Sequence, residues 1–164
     1  MSFSWSAVFG SSIDTGVWRS AEYAADVRTL HVGLRVGDID RSLTFYRALG
    51  YRVIGSVAGT GLGDLTMLAL PHDPFVSLEL VHRPGDSVAV SGISHLVVRV
   101  ESLSELAESL SAHGIDIEDR NVHDPDSGFT TGWITDPDGY RIEVVQWPAG
   151  HPDGMTAGDF DQAP

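Results

Sequence analysis

The feature that most constrains this chain is an internal repeat. "LHVGLRVGDIDRSLTFYRALGYRV" (residues 30 to 53) overlays "SHLVVRVESLSELAESLSAHGIDI" (residues 94 to 117) at an offset of 64 without a gap. His31 falls on His95, Arg35 on Arg99, Val36 on Val100, Ile39 on Leu103, Gly50 on Gly114 and Val53 on Ile117. The same offset carries Glu79 of "FVSLELVHRP" onto Glu143 of "YRIEVVQWP", and Pro84 onto Pro148. In each half a His therefore precedes its Glu by 48 residues. A self-similar chain folds as repeated units of one supersecondary motif, and the repeat has to be found before any motif is read.

Each half begins with alternation. Leu30, Val32, Leu34 and Val36 interleave with His31, Gly33 and Arg35, a period of two that predicts a strand with one apolar and one polar face. A helix follows from about Asp38, which can cap free backbone N–H groups, with Ile39, Leu43 and Tyr46 on one stripe and Gly50 at its end. In the second half Ser102 and Glu105 fit a capping box, Leu103, Leu106, Ala107 and Leu110 form the stripe, and Gly114 ends it. Strands are expected at about 51–57, 65–70 and 75–82, and again at 115–118, 129–135 and 140–147. The fold class that follows is α+β: two tandem βαβββ modules forming curved mixed sheets around a metal-binding cleft. Residues 29–92 and 93–148 are the modules, 1–28 an N-terminal arm and 149–164 a C-terminal tail.

One helix covers one face of a sheet, so two modules must assemble. In "VSLELV" Leu78 and Leu80 share the core face, which turns Ser77, Glu79 and Val81 to the other. Glu143 is turned the same way, with Arg141 and Val145. An ionised carboxylate between apolar neighbours must face solvent, meet a cation or bind a metal. His31, Glu79, His95 and Glu143 come from symmetric positions into one concavity, and this set suits one divalent metal: Zn, Ni, Co, Fe or Mn. Any one of these residues alone reads better as a hydrogen-bonded His or a solvated Glu; four at matching register do not. Arg35 lies about 13 Å along the strand from His31. It suits either an anionic substrate or an acidic side chain of the protein. "AGTGLGD" (residues 58 to 64) lacks the helix and Lys of a phosphate cradle and reads as a mobile hairpin loop, a flap. "HDPDSG" (residues 123 to 128) is a turn-rich loop able to close over a ligand. His72, His82, His113, His123 and His151 are expected at the surface.

Composition narrows the partners. Ten Lys and Arg stand against 23 Asp and Glu, a formal charge of -13, which repels nucleic acid and anionic membranes. Without cysteine there is no disulfide, thiolate ligand or cysteine nucleophile. "MSFSWSAVFGSS" has no basic n-region, and no apolar run reaches membrane-spanning length. A soluble, cytoplasmic protein is the expectation.

Across residues 30 to 147 the chain resembles the vicinal oxygen chelate superfamily, and within it the glyoxalase I (lactoylglutathione lyase) family. The stretches that carry the resemblance are the two repeated segments, the "LEL" around Glu79, "ISHLVVRV" and "DPDGYRIEVV". The resemblance implies one divalent metal per site held by His31, Glu79, His95 and Glu143, and a homodimer with sites between subunits. It implies isomerisation of the hemithioacetal of an α-ketoaldehyde such as methylglyoxal with a small thiol, with Glu143 as the catalytic base and Glu79 able to share the role. Arg35 falls where the family has an Arg on the thiol's carboxylate. Arg83 falls where glyoxalase I usually has Asn, which makes it a second substrate-binding candidate. The basic residues expected before "TDPDG" are replaced by Ser127, Gly128, Phe129 and Thr130, so the thiol need not be glutathione. The alternatives are another metal-dependent enzyme of the superfamily, a dioxygenase or epimerase, and a non-catalytic small-molecule binding or resistance protein.

Overall fold

Period-two alternation and a capped amphipathic helix recur in both halves, and in the computed structural model each half folds into the same motif. The structure describes residues 29–124, 129–151 and 154. The arm assigned to residues 1–28, most of the tail and residues 125–128 of the "HDPDSG" loop lie outside the described residues. Strand β1 (Val32–Val36), helix α1 (Ile39–Ala48) and strands β2 (Arg52–Thr60), β3 (Gly63–Ala69) and β4 (Leu78–His82) make the first module. Strand β5 (Leu96–Arg99), helix α2 (Leu103–Ser111) and strands β6 (Glu118–Asp124), β7 (Phe129–Thr135) and β8 (Arg141–Gln146) make the second. The sheet orders are β1-β4-β3-β2 and β5-β8-β7-β6. In each, the first strand pairs parallel with the last, and the other pairings are antiparallel. The α+β class and the tandem modules are thus as the repeat predicts.

The helix boundaries follow from local chemistry. Asp38 caps α1 by accepting from the Arg41 N–H at 3.0 Å, and Ser102 caps α2 by accepting from the Glu105 N–H at 3.2 Å. Past the two C-termini, Gly50 and Gly114 take φ of 107° and 71°, a region that side chains disfavour. Strand limits differ most from expectation in three places, the first being β2, which runs on to Thr60 where an end at about 57 is expected. The strand placed at 115–118 lies at 118–124, because the Ile115 N–H returns to the Leu110 carbonyl and Ile115 and Ile117 pack on the core as a connection. The strand placed at 75–82 starts at Leu78, because the Asp73 carboxylate gathers the Leu70 N–H and the Ser77 hydroxyl into a turn.

Leu34, Val36, Phe45, Tyr46, Leu68, Leu78 and Leu80 of the first module are buried in one cluster with Val98, Leu103, Leu110, Ile134, Ile142 and Val144 of the second. The two modules therefore share a core, and residues 30–149 form one unit. Ser42 is fully buried within α1 despite its hydroxyl, which donates to Asp138 of the second module at 3.2 Å. Burial of a polar group is tolerated when it is hydrogen-bonded in this way. No helix among the described residues is long and apolar enough to cross a membrane.

Candidate metal centre

The register explains how each Glu meets its His. Glu79 lies opposite Gly33 of β1 and Met67 of β3, while Glu143 lies opposite Val97 of β5 and Trp133 of β7. Their neighbours Leu78, Leu80, Ile142 and Val144 point into the core, so both carboxylates emerge on the opposite faces of their sheets. His31 and His95 sit at the entry to β1 and β5 and reach the same faces. His31 Nε2 is 3.7 Å from Glu79 Oε2, and His95 Nε2 is 3.6 Å from Glu143 Oε2. Side-chain exposure is 11% for Glu79 and 24% for Glu143.

These separations are too long for hydrogen bonds. Two N and O donors at 2.0–2.2 Å from a shared metal lie about 3.0–3.5 Å apart, so each pair is only slightly wider than a bound metal requires. The donor chemistry, neutral imidazole with carboxylate, fits a divalent first-row ion. Ser94 adds a detail that the sequence did not signal. Its hydroxyl lies 3.0 Å from His95 Nδ1. A hydrogen bond donated there by Nδ1–H leaves the Nε2 lone pair facing Glu143, the tautomer a metal ligand needs. Trp133 packs edge-on against the His95 ring at 5.1 Å and holds its plane, while Arg141 lies 5.0 Å over the Trp133 ring.

The structure brings the four residues together as two pairs and not as four. Among the described residues no group of three or more His, Asp and Glu side chains is close enough to hold a metal. A single chain thus presents two separate His–Glu pairs, one on each module. The faces that bear these pairs carry exposed apolar neighbours: Val97, beside Glu143, is 56% exposed, and Val57, in the row of Leu65 and Val81, is 52% exposed.

The two arginines are engaged by the protein. Arg35 Nη1 lies 3.8 Å from Asp86, and Arg83 Nε lies 4.0 Å from the same carboxylate. Arg83 also donates to the Gly61 carbonyl at 2.6 Å. That bond ties down the tip of the "AGTGLGD" stretch, where Asp64 accepts from the Gly59 N–H at 2.7 Å and the Thr60 hydroxyl donates to the Gly63 carbonyl at 2.6 Å. The stretch is therefore a cross-linked hairpin between β2 and β3, not a free flap. His72 and His113 are exposed and His82 and His151 half-buried. A separate cleft of about 310 Å³ lies between Arg41, Phe45, His113, Ile115 and Pro137 and includes none of the four ligand candidates.

Residues 28–144 match the profile of the Glyoxalase/Bleomycin resistance protein/Dioxygenase superfamily. The chain belongs to this superfamily. Lactoylglutathione lyase of Escherichia coli O157:H7 is 30% identical over 134 residues, covering 73% of this chain and 93% of its own length. Lactoylglutathione lyase GLX1 of Arabidopsis thaliana is 30% identical over 152 residues, covering 83% of this chain and 51% of its own. The trypanothione-dependent glyoxalase I of Leishmania major superposes with a TM-score of 0.59 at 31% identity, over 74% of this chain and 87% of that one. A bleomycin resistance determinant encoded on transposon Tn5 shares the fold at a TM-score of 0.53 and 22% identity, over 73% of this chain and 98% of that one. Superfamily membership accounts for the paired βαβββ modules.

Proposed function

We propose that the protein is a metal-dependent isomerase of the glyoxalase I type. Its substrate is the hemithioacetal of an α-ketoaldehyde such as methylglyoxal with a small thiol, and its product a 2-hydroxyacyl thioester. The observation that carries this reading is the presence of two His–Glu pairs at one register, His31 with Glu79 and His95 with Glu143, each close to the spacing of a shared metal. Relatives named lactoylglutathione lyase at 30% identity support the choice of reaction within the superfamily. In the assembled enzyme the His31–Glu79 pair of one subunit faces the His95–Glu143 pair of its partner in a homodimer. The exposed apolar residues beside the pairs favour such pairing.

The chemistry is a 1,2 proton shift. A divalent ion held by the four side chains supplies Lewis-acid stabilisation of the negative charge that develops on the substrate oxygens. Glu143 takes the proton from the carbon bearing sulfur and returns it to the neighbouring carbon, so atoms and electrons balance without a redox partner. Glu143 is taken as the base from the likeness to glyoxalase I, and within one chain it is also the more exposed of the two carboxylates. His31 and His95 would hold the ion, since the Nε2 of each lies on the side of its Glu. Arg35 and Arg83 lie outside these pairs, and the carboxylate of Asp86 between them has to yield before either engages an anionic substrate.

The test is metal analysis of the purified protein, followed by an assay with methylglyoxal and a series of thiols before and after EDTA. Turnover that chelation abolishes and added metal restores is the expected result. Metal uptake without turnover of any thiol adduct contradicts the isomerase reading and favours a dioxygenase or epimerase of the superfamily. Failure to take up metal favours a binding protein.

A further inference from the structure

Within one chain the two His–Glu pairs lie on different modules, and beneath the shared apolar core the side-chain hydrogen bonds that join those modules converge on one turn. Residues Asp136, Pro137, Asp138 and Gly139 connect β7 to β8. The Asp136 carboxylate is buried and accepts from the Tyr46 hydroxyl of α1 at 2.9 Å, and from the backbone N–H groups of Asp138 at 2.9 Å and Tyr140 at 2.8 Å. Asp138, whose side chain is only 4% exposed, accepts from the Gly37 N–H at 3.1 Å, the Arg41 guanidinium at 3.3 Å and the Ser42 hydroxyl at 3.2 Å. Tyr140 completes the set by donating to the Arg35 carbonyl of β1 at 3.2 Å. The corresponding turn of the first module differs. There Asp73 accepts from Leu70 and Ser77, both of its own module.

We infer that the Asp136–Gly139 turn is a clasp that fixes the angle between the two sheets, and so the register in which the His31–Glu79 and His95–Glu143 pairs meet. This inference rests on the proposed metal site between subunits. Tyr46, Asp136, Asp138 and Tyr140 are then positioning residues that act through Glu143 and His31 without touching metal or substrate. Geometry gives the reason. Glu143 lies three residues beyond Tyr140, about 10 Å along β8, so a rotation of about 5° at the turn displaces its carboxylate by roughly 0.9 Å. Metal–ligand distances tolerate deviations of only about 0.2 Å. A twofold dimer repeats the error at both sites, because each site draws one pair from each chain. Burial raises the pKa of both Asp136 and Tyr46, and the hydrogen bonds from Tyr140, Tyr46 and Asp138 oppose the shift at Asp136. The clasp therefore depends on its donors being in place.

The chain has no cysteine, so Arg47→Cys on α1 and Glu108→Cys on α2 give unique sites for spin labels, one on each module, and dilution with excess unlabelled chains keeps the measured distance within one subunit. In this background Asp138→Ala and the milder Tyr140→Phe are compared with Asp73→Ala, which opens the corresponding turn of the first module but leaves the clasp intact. Pulsed EPR distances between the labels and the Zn(II) affinity of the folded protein are measured for each. The clasp predicts a broadened or shifted distance distribution in Asp138→Ala, with Zn(II) binding at least tenfold weaker, a smaller change of the same kind in Tyr140→Phe, and parent-like label distances in folded Asp73→Ala. Parent-like distances in both clasp variants overturn the inference. So does a broadened distribution with Zn(II) affinity unmoved. A parent protein that binds neither Zn(II) nor Ni(II) contradicts the proposed function instead, and the label distances still decide whether the turn holds the modules.

Discussion

Glu79 and Glu143 are equivalent by sequence, yet their surroundings separate them. Glu79 lies against Gly33, where a Cβ would come within 3.4 Å of its Oε1, while Glu143 sits opposite exposed Val97 and half-buried Trp133. The more accessible carboxylate suits proton transfer, and the more enclosed one suits a fixed ligand. Glu143→Gln keeps the size and one oxygen but removes the proton acceptor. Its turnover should fall by on the order of 10² or more, and Glu79→Gln should lose less. Steady-state rates compared at equal measured metal occupancy decide this; equal losses in the two variants would contradict the assignment, and a larger loss in Glu79→Gln would reverse it. The alternation of β4 and β8 made both carboxylates legible as residues facing away from the core. Ser94 and Trp133 left no such signal, because their contacts with His95 depend on side-chain approach rather than on spacing. The six bonds accepted by Asp136 and Asp138 were equally hidden. "DPDG" reads locally as a turn, and partners such as Tyr46 and Ser42 stand 90 or more residues away.

Among the elements, the helices are the most legible in the sequence, since their caps and terminal glycines are local chemistry that it spells out. Strand limits moved where side chains drew the backbone elsewhere, as Asp73 does before β4. Asp119 at φ 46° and a register shift between Glu118 and Asn121 mark the same kind of departure in β6. The β2–β3 hairpin illustrates what glycine spacing alone conceals. "AGTGLGD" suggests mobility, yet Gly63 has φ of 128°, and a Cβ there would lie 2.6 Å from the His82 carbonyl oxygen. This glycine is needed for close approach of β3 to the end of β4. Gly63→Ala should destabilise the fold by about 1–3 kcal/mol, the cost of a non-glycine residue forced into such backbone geometry. Urea denaturation with an unchanged slope and a lowered midpoint is the expected observation. A midpoint equal to the parent's would show that the hairpin relaxes freely.

At the scale of the whole molecule the repeat predicted the architecture, and the shared core explains why one chain holds both modules. What the sequence could not show is that the four ligand candidates stay in two pairs within a chain, because the repeat is silent on which copies face each other. The formal charge of -13 is compatible with a small-molecule substrate and leaves the ligand-bearing faces to be matched by their exposed apolar residues. The central claim is that one complete site draws His31 and Glu79 from one subunit and His95 and Glu143 from the other. Mixing His31→Ala chains with Glu143→Ala chains after reversible dissociation tests it most directly. Random pairing makes half of the dimers mixed, and in each mixed dimer one of the two sites has all four ligands, so metal content and activity should recover to about one quarter of the parent's. If the mixture stays as empty and inactive as its two components although mixed dimers are shown to form, the site is not shared between subunits and the account is contradicted.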